Sequence, residues 1–149
     1  MFRIRFFTPA VVDEHGQPQA GGELAIGRET LRFQVDLRYW SMAAYEAQWR
    51  AAIARLAHGA RSTALVTAYR GPQDEPHLLW ALWREDPYVY LQELSILASE
   101  LDAPFDPMAP YAQVGTRIPA SEQGLPIAEY RIELMPFLAA HFVPAFPWR

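Results

Sequence analysis

From Leu31 to Tyr39 the chain alternates without a slip: Leu31, Phe33, Val35, Leu37 and Tyr39 are apolar, and Arg32, Gln34, Asp36 and Arg38 between them are polar. Successive side chains of a strand point to opposite faces, so a period of two predicts a strand with one buried and one wet face. Phe2, Ile4 and Phe6 repeat the pattern around Arg3 and Arg5, and Leu24 to Ile26 is a shorter strand candidate closed by Gly27. The chain therefore opens with β structure. Between these strands, Asp13 to Gly22 is rich in Asp, Glu, Gly, Pro and Gln, the composition of a loop.

The period changes after Ser41. Tyr45, Trp49, Ala52, Ile53 and Leu56 recur at three- and four-residue spacing, Ser41 is a favourable N-cap type, and Gly59 stands where a left-handed residue ends a helix. This predicts a main helix over 42–58, with Glu46 and Arg50 one turn apart on its outer face. Thr63–Tyr69, His77–Arg84 and Tyr88–Ile96 then read as strands joined by Gly71–Pro76 and by Glu85-Asp86-Pro87, and such short connections predict an antiparallel meander. From Leu97 to Pro126 prolines and glycines interrupt every period. That stretch reads as a long ordered loop, with a helical turn over Ser95–Leu101 as the alternative. A last strand over Ile127–Leu134 puts Tyr130, Ile132 and Leu134 on one side, and a short helix starts near Pro136. The expected fold is α+β: an antiparallel sheet of about six strands with the main helix packed on one face and a short C-terminal helix.

At 149 residues and 51% hydrophobic, the chain has the size and apolar content of one domain spanning 1–149. There is no cysteine, which removes disulfides, thiolate nucleophiles and cysteine-based metal sites. Arg3, Arg5 and Pro9 break up the apolar N-terminus, so it lacks the uninterrupted core of a secretion signal, and no window approaches the roughly 20 apolar residues of a membrane span. The net charge is −4 and no basic run occurs. Phosphate backbones attract clustered cations, so such a chain is expected to bind a basic partner and not nucleic acid directly.

Signatures of chemistry are absent from the sequence. His15, His58, His77 and His141 make no metal-ligand spacing and read as surface or helix-end residues, no serine sits in a nucleophile elbow, and Gly21-Gly22 and Gly27 make no phosphate loop. No metal, cofactor or catalytic residue is therefore expected. Trp80 and Trp83 lie three apart in one predicted strand and so on opposite faces, which leaves one of them exposed or covered by another element. A pocket among Trp80, Trp83, Tyr88 and Tyr90 is the feature that would favour a small enzyme or ligand-binding domain instead.

Three stretches in fixed order carry a family likeness: Tyr45, Gln48, Trp49, Leu56, Gly59, Ser62 and Thr67; the tyrosine-rich hairpin from Trp80 to Tyr90; and the run Glu122-Gln123-Gly124-Leu125-Pro126-Ile127-Ala128-Glu129-Tyr130. Together they resemble the immunity proteins of bacterial contact-dependent growth inhibition systems, over about 41–138. Where the family pattern reads Ile-Ser-Glu-Trp, this chain has Ile127-Ala128-Glu129-Tyr130. The resemblance implies a cytoplasmic protein without enzyme activity that binds and neutralises the C-terminal toxin domain of a cognate effector, often a basic nuclease. Acidic loops docking in a cationic cleft suit that task, which makes Asp74, Glu75, Glu85, Asp86, Asp102, Asp106 and Glu122 the candidate toxin contacts. Glu129 is expected to serve a structural hydrogen bond instead. Nothing before Trp40 carries the likeness.

Overall fold

The computed structural model describes residues 1–72, 74, 76–121 and 123–139. Strand β1 (Phe2–Phe6) pairs antiparallel with β3 (Pro18–Ile26), Phe2 opposite Ile26 and Phe6 opposite Gly22, and the two-residue β2 (Val11–Val12) prolongs the same edge. Across β3 lies β4 (Glu29–Asp36), with Leu31 opposite Leu24 and Val35 opposite Ala20. The alternation therefore works as read: Phe2, Ile4, Phe6, Leu24, Ile26 and Val35 are buried. β4 stops at Asp36 because the Asp36 carboxylate accepts the Arg38 backbone N–H at 2.9 Å and turns the chain, which leaves Tyr39 exposed beyond the strand.

The predicted loop over Asp13–Gly22 is half correct. Asp13 accepts from the amides of His15 and Gln17 in a tight turn, but Pro18–Gly22 is strand. Gly22 is there for room and not for flexibility: a Cβ on it would strike the ring of Phe33, the residue opposite it on β4.

Helix α1 (Met42–Ala57) starts as predicted, with Ser41 Oγ accepting the Ala44 N–H at 3.1 Å, and Gly59 follows its end at φ +105°. One reading fails. Glu46 is buried while Arg50 is exposed, because α1 touches both β1 and β5 and so buries a wider arc than one face: Met42, Tyr45, Glu46, Gln48, Trp49, Ala52 and Leu56.

The second half is the expected meander, β5 (Ser62–Ala68), β6 (His77–Glu85), β7 (Tyr88–Ile96) and β8 (Tyr130–Glu133), paired in that order. The protein is thus α+β, and its strands divide into two four-stranded antiparallel sheets instead of one sheet of about six. The helix is the cause: α1 follows β4 and lies along the free edge of β5, where a fifth strand would otherwise pair. β8 is shorter than Ile127–Leu134 because Leu134 already begins α2 (Leu134–Leu138), which carries Pro136 in its first turn, where its missing N–H costs nothing. One hydrophobic cluster joins the two sheets and both helices, with Phe6 4.9 Å from Trp49 and Phe2 4.7 Å from Phe137 between ring centres.

The segment after β7 is ordered cover. It makes short 3₁₀ turns at Ala98–Glu100 and Pro110–Gln113 and crosses the outer face of the second sheet. There Phe105 stacks on His77 at 4.5 Å, the Arg55 guanidinium lies 3.6 Å over Tyr111, and Trp83 Nε1–H donates to the Gly115 carbonyl at 2.8 Å. His77 is fully buried, contrary to its reading as a surface residue, and its Nδ1 accepts the Arg70 N–H. His141 lies outside the described residues. Among those residues no helix is long and apolar enough to cross a membrane.

Candidate functional site

The side chains that carry the family likeness have structural work. Because β5 pairs only with β6, its other edge leaves backbone groups without a ladder. Gln48 supplies both halves of the missing pairing: its Nε2 donates to the Ala64 carbonyl at 2.8 Å and its Oε1 accepts the Val66 N–H at 2.9 Å. Trp49 Nε1–H donates to the Val66 carbonyl at 2.7 Å. The Tyr45 hydroxyl accepts the Tyr69 N–H at 2.9 Å and donates to the Asp36 carbonyl at 2.6 Å, so it closes the end of β5 against the end of β4. Burial raises the Tyr45 pKa well above the ordinary phenol range, which keeps it a hydroxyl able to do both. Helical spacing places these groups on consecutive turns facing one strand. Apolar periodicity finds Tyr45 and Trp49, but nothing in it marks Gln48 as an edge seal.

Glu129 plays the structural part expected of it. Arg117 grips it with two hydrogen bonds of 2.7 and 2.6 Å, and Gln92 Nε2 adds a third at 2.8 Å while also donating to the Ile118 carbonyl. The Arg117 guanidinium holds the Glu129 carboxyl below its usual pKa, with Gln92 acting in the same direction. Arg117 in turn lies 3.6 Å over the Tyr90 ring, and Arg131 lies 4.2 Å over Tyr88. This network ties the covering segment to the second sheet.

The candidate acids are not gathered in one place. Asp74 lies before β6 and is bonded to Arg38 at 3.1 Å, beside Asp36. Glu85 and Asp86 lie at the other end of the strand, Glu85 3.4 Å from Arg117 and Asp86 3.0 Å from Arg84. With a rise near 3.4 Å per residue, the length of β6 keeps the two groups roughly 27 Å apart. Asp102 and Asp106 are exposed in the covering segment on either side of Phe105, towards the His77 end, and Asp106 also caps the Met108 amide at 2.9 Å. Glu75 and Glu122 lie outside the described residues. Three of the candidates are thus ion-paired within the chain, which loop composition alone does not reveal.

The aromatic pocket does not form. Trp83 and its cross-strand partner Tyr90 share the outer face with Tyr88, whereas Trp80 points to the opposite face and touches Tyr130 at 5.9 Å between ring centres. Both tryptophans are buried, so a covering element exists on each side. Among the described residues no group of three or more His, Cys, Asp or Glu is placed to hold a metal ion.

A feature unread in the sequence lies on the first sheet. Glu23 is buried on its outer face, 3.2 Å from Arg3, 3.3 Å from Arg5 and 3.7 Å from Arg32. Reading Gly21-Gly22 as loop hid the register that sets Glu23 opposite Arg5 and Arg32.

Two antiparallel sheets share one core, with a helix sealing one sheet edge, and this defines the class of the protein as α+β. A sequence model of the CdiI N-terminal domain matches residues 35–137, most of the chain, and the chain belongs to this family of contact-dependent growth inhibition immunity proteins. Its fold matches a chain of the CdiA-CT/CdiI toxin and immunity complex from Enterobacter cloacae with a TM-score of 0.83 and 23% identity, over 93% of this chain and 94% of that one. Among curated proteins there is no match. The family match begins at Val35, so β1 to β3 and most of β4 lie outside it, while the fold match takes in nearly the whole chain.

Proposed function

We propose that this chain, acting as a single cytoplasmic domain over 1–149, binds and neutralises the toxin domain of a cognate contact-dependent growth inhibition effector, a nuclease, without catalysis or cofactor of its own. The observation that carries this reading is the family match over 35–137. A fold shared with a chain of a toxin and immunity complex supports it. Inhibition by binding needs surface complementarity and no reactive group. Asp74, Glu75, Glu85, Asp86, Asp102, Asp106 and Glu122 are the acids proposed to meet the toxin, and their net negative field steers a basic partner towards the chain even where each is paired locally.

The test is co-expression with the toxin domain encoded immediately upstream. Rescue of growth and co-elution as one stoichiometric complex are expected; continued toxicity, with the two proteins eluting apart, would overturn the reading. Charge reversal at Asp74, Glu85 and Asp86 separates the two ends of β6. The end that contacts the toxin loses affinity and salt dependence when reversed, and the other does not.

A further inference from the structure

Where β4 of the first sheet meets the second sheet, a groove of about 510 Å³ opens to solvent, bordered by Leu31, Phe33, Trp80, Glu93, Ile127 and Tyr130 together with backbone of β4. Its walls mix aromatic and apolar side chains with polar groups, Thr30 among them. Trp80 and Tyr130 meet edge to face, and Phe33 and Leu31 stand across from them, all but Trp80 partly accessible. Trp80 itself is 6% exposed, and its indole N–H has no acceptor among the described residues. The two other described tryptophans of the core region each donate to a carbonyl, Trp49 to Val66 and Trp83 to Gly115. A buried N–H without an acceptor costs about 1–3 kcal/mol in other proteins, which sets Trp80 apart from these two.

One charge belongs to the groove. Glu93 stands directly across from Trp80 in the β6–β7 register, on the same face, and is exposed without a cationic partner among the described residues. Arg32 also borders the groove, but alternation along β4 turns its guanidinium to the other face, 3.7 Å from Glu23 and 4.5 Å over Phe7. Aromatic faces beside a lone carboxylate form the chemistry that recognises a cationic side chain, through its ring contacts and its ion pair together.

Resting on the toxin-binding reading above, we propose that this groove receives an arginine or lysine side chain of the toxin, its charge against Glu93 and its stem along Leu31, Phe33 and Tyr130. The groove is separate from the acidic turns at both ends of β6. Tyr130 and Ile127 come from the last of the three stretches that carry the family likeness, and Trp80 from the second.

The test uses the full chain and the purified, catalytically inactivated toxin domain encoded upstream, with affinity measured by calorimetry at low and high salt. Glu93→Gln is expected to weaken binding about ten- to a hundredfold and to flatten the salt dependence. Glu93→Arg should weaken it further, with recovery when the matching toxin cation is changed to Glu. Trp80→Phe tests the indole wall of the groove, and Glu100→Gln, an exposed acid outside the groove, is the control and should leave affinity unchanged. Unchanged affinity in Glu93→Gln overturns the proposal. A loss confined to Trp80→Phe overturns the cation assignment and makes the occupant apolar. If the unaltered chain forms no complex at all, the toxin-binding reading itself falls, an outcome distinct from both.

Discussion

Two tryptophans of the same core region sit in contrasting surroundings. Around Trp49, on the seam between α1 and β5, the indole N–H is matched to Val66, the Gln48 amide to Ala64 and Val66, and the Tyr45 phenol to Tyr69 and Asp36. Around Trp80 a buried indole N–H has no acceptor among the described residues, and Glu93, its cross-strand neighbour, has no cation among them. Tyr45, Gln48 and Trp49 complete a sheet edge inside one chain, whereas Trp80 and Glu93 border an open groove. Three of the residues that carry the family likeness therefore close a sheet edge in this chain.

The contrast predicts a graded series of substitutions. Trp49→Ala should be the most damaging, about 3–5 kcal/mol in urea unfolding, since it opens a cavity in the core and strips the Val66 carbonyl of its donor. A loss below about 1 kcal/mol would show that the seam is dispensable. Gln48→Leu keeps much of the volume but leaves the Ala64 carbonyl and Val66 amide unmatched, and about 2–4 kcal/mol is expected.

Glu129→Gln is predicted to cost about 1–2 kcal/mol near neutral pH, through the loss of a bidentate ion pair with Arg117. The pH dependence has a fixed sign. The folded-state pKa of Glu129 lies below the ordinary value of 4.5, so its stabilisation is complete above that value and is lost as pH falls through the folded-state pKa. Urea midpoints of the unaltered protein should decline below that pH, and Glu129→Gln should make the acid limb shallower. Trp80→Phe closes the series with the smallest effect, about 1 kcal/mol, because the N–H it removes has no acceptor among the described residues and a phenyl ring keeps most of the apolar volume. A cost as large as that of the same change at Trp49 would erase the distinction between the two regions.

Much of the fold was legible because it is local. The β1 alternation, the Ser41 cap with Gly59, and both strands of the β6–β7 hairpin follow from spacing within a few residues of one another. The division into two sheets was not legible, since it depends on α1 reaching across to β5 through Gln48, a residue with no special standing in a periodicity. Pro18–Gly22 was misread for a related reason: Gly22 looks like a loop residue until the Phe33 ring opposite it is known. Of the candidate surface, the charges could be named but not their pairing, because Arg38, Arg84 and Arg117 reach Asp74, Asp86 and Glu85 only in three dimensions. The placement of Trp80 and Trp83 on opposite faces was the part that spacing did supply, and it disposes of a common pocket.

The Tyr45 hydroxyl has a kinetic consequence. By bridging the end of β4 to the end of β5, it makes hinge-like parting of the two sheets require the loss of two hydrogen bonds at once. These bonds tie together the two elements that border the groove, β4 and the second sheet. In the docking proposed above, walls tied in this way lose little ordering entropy when the partner arrives.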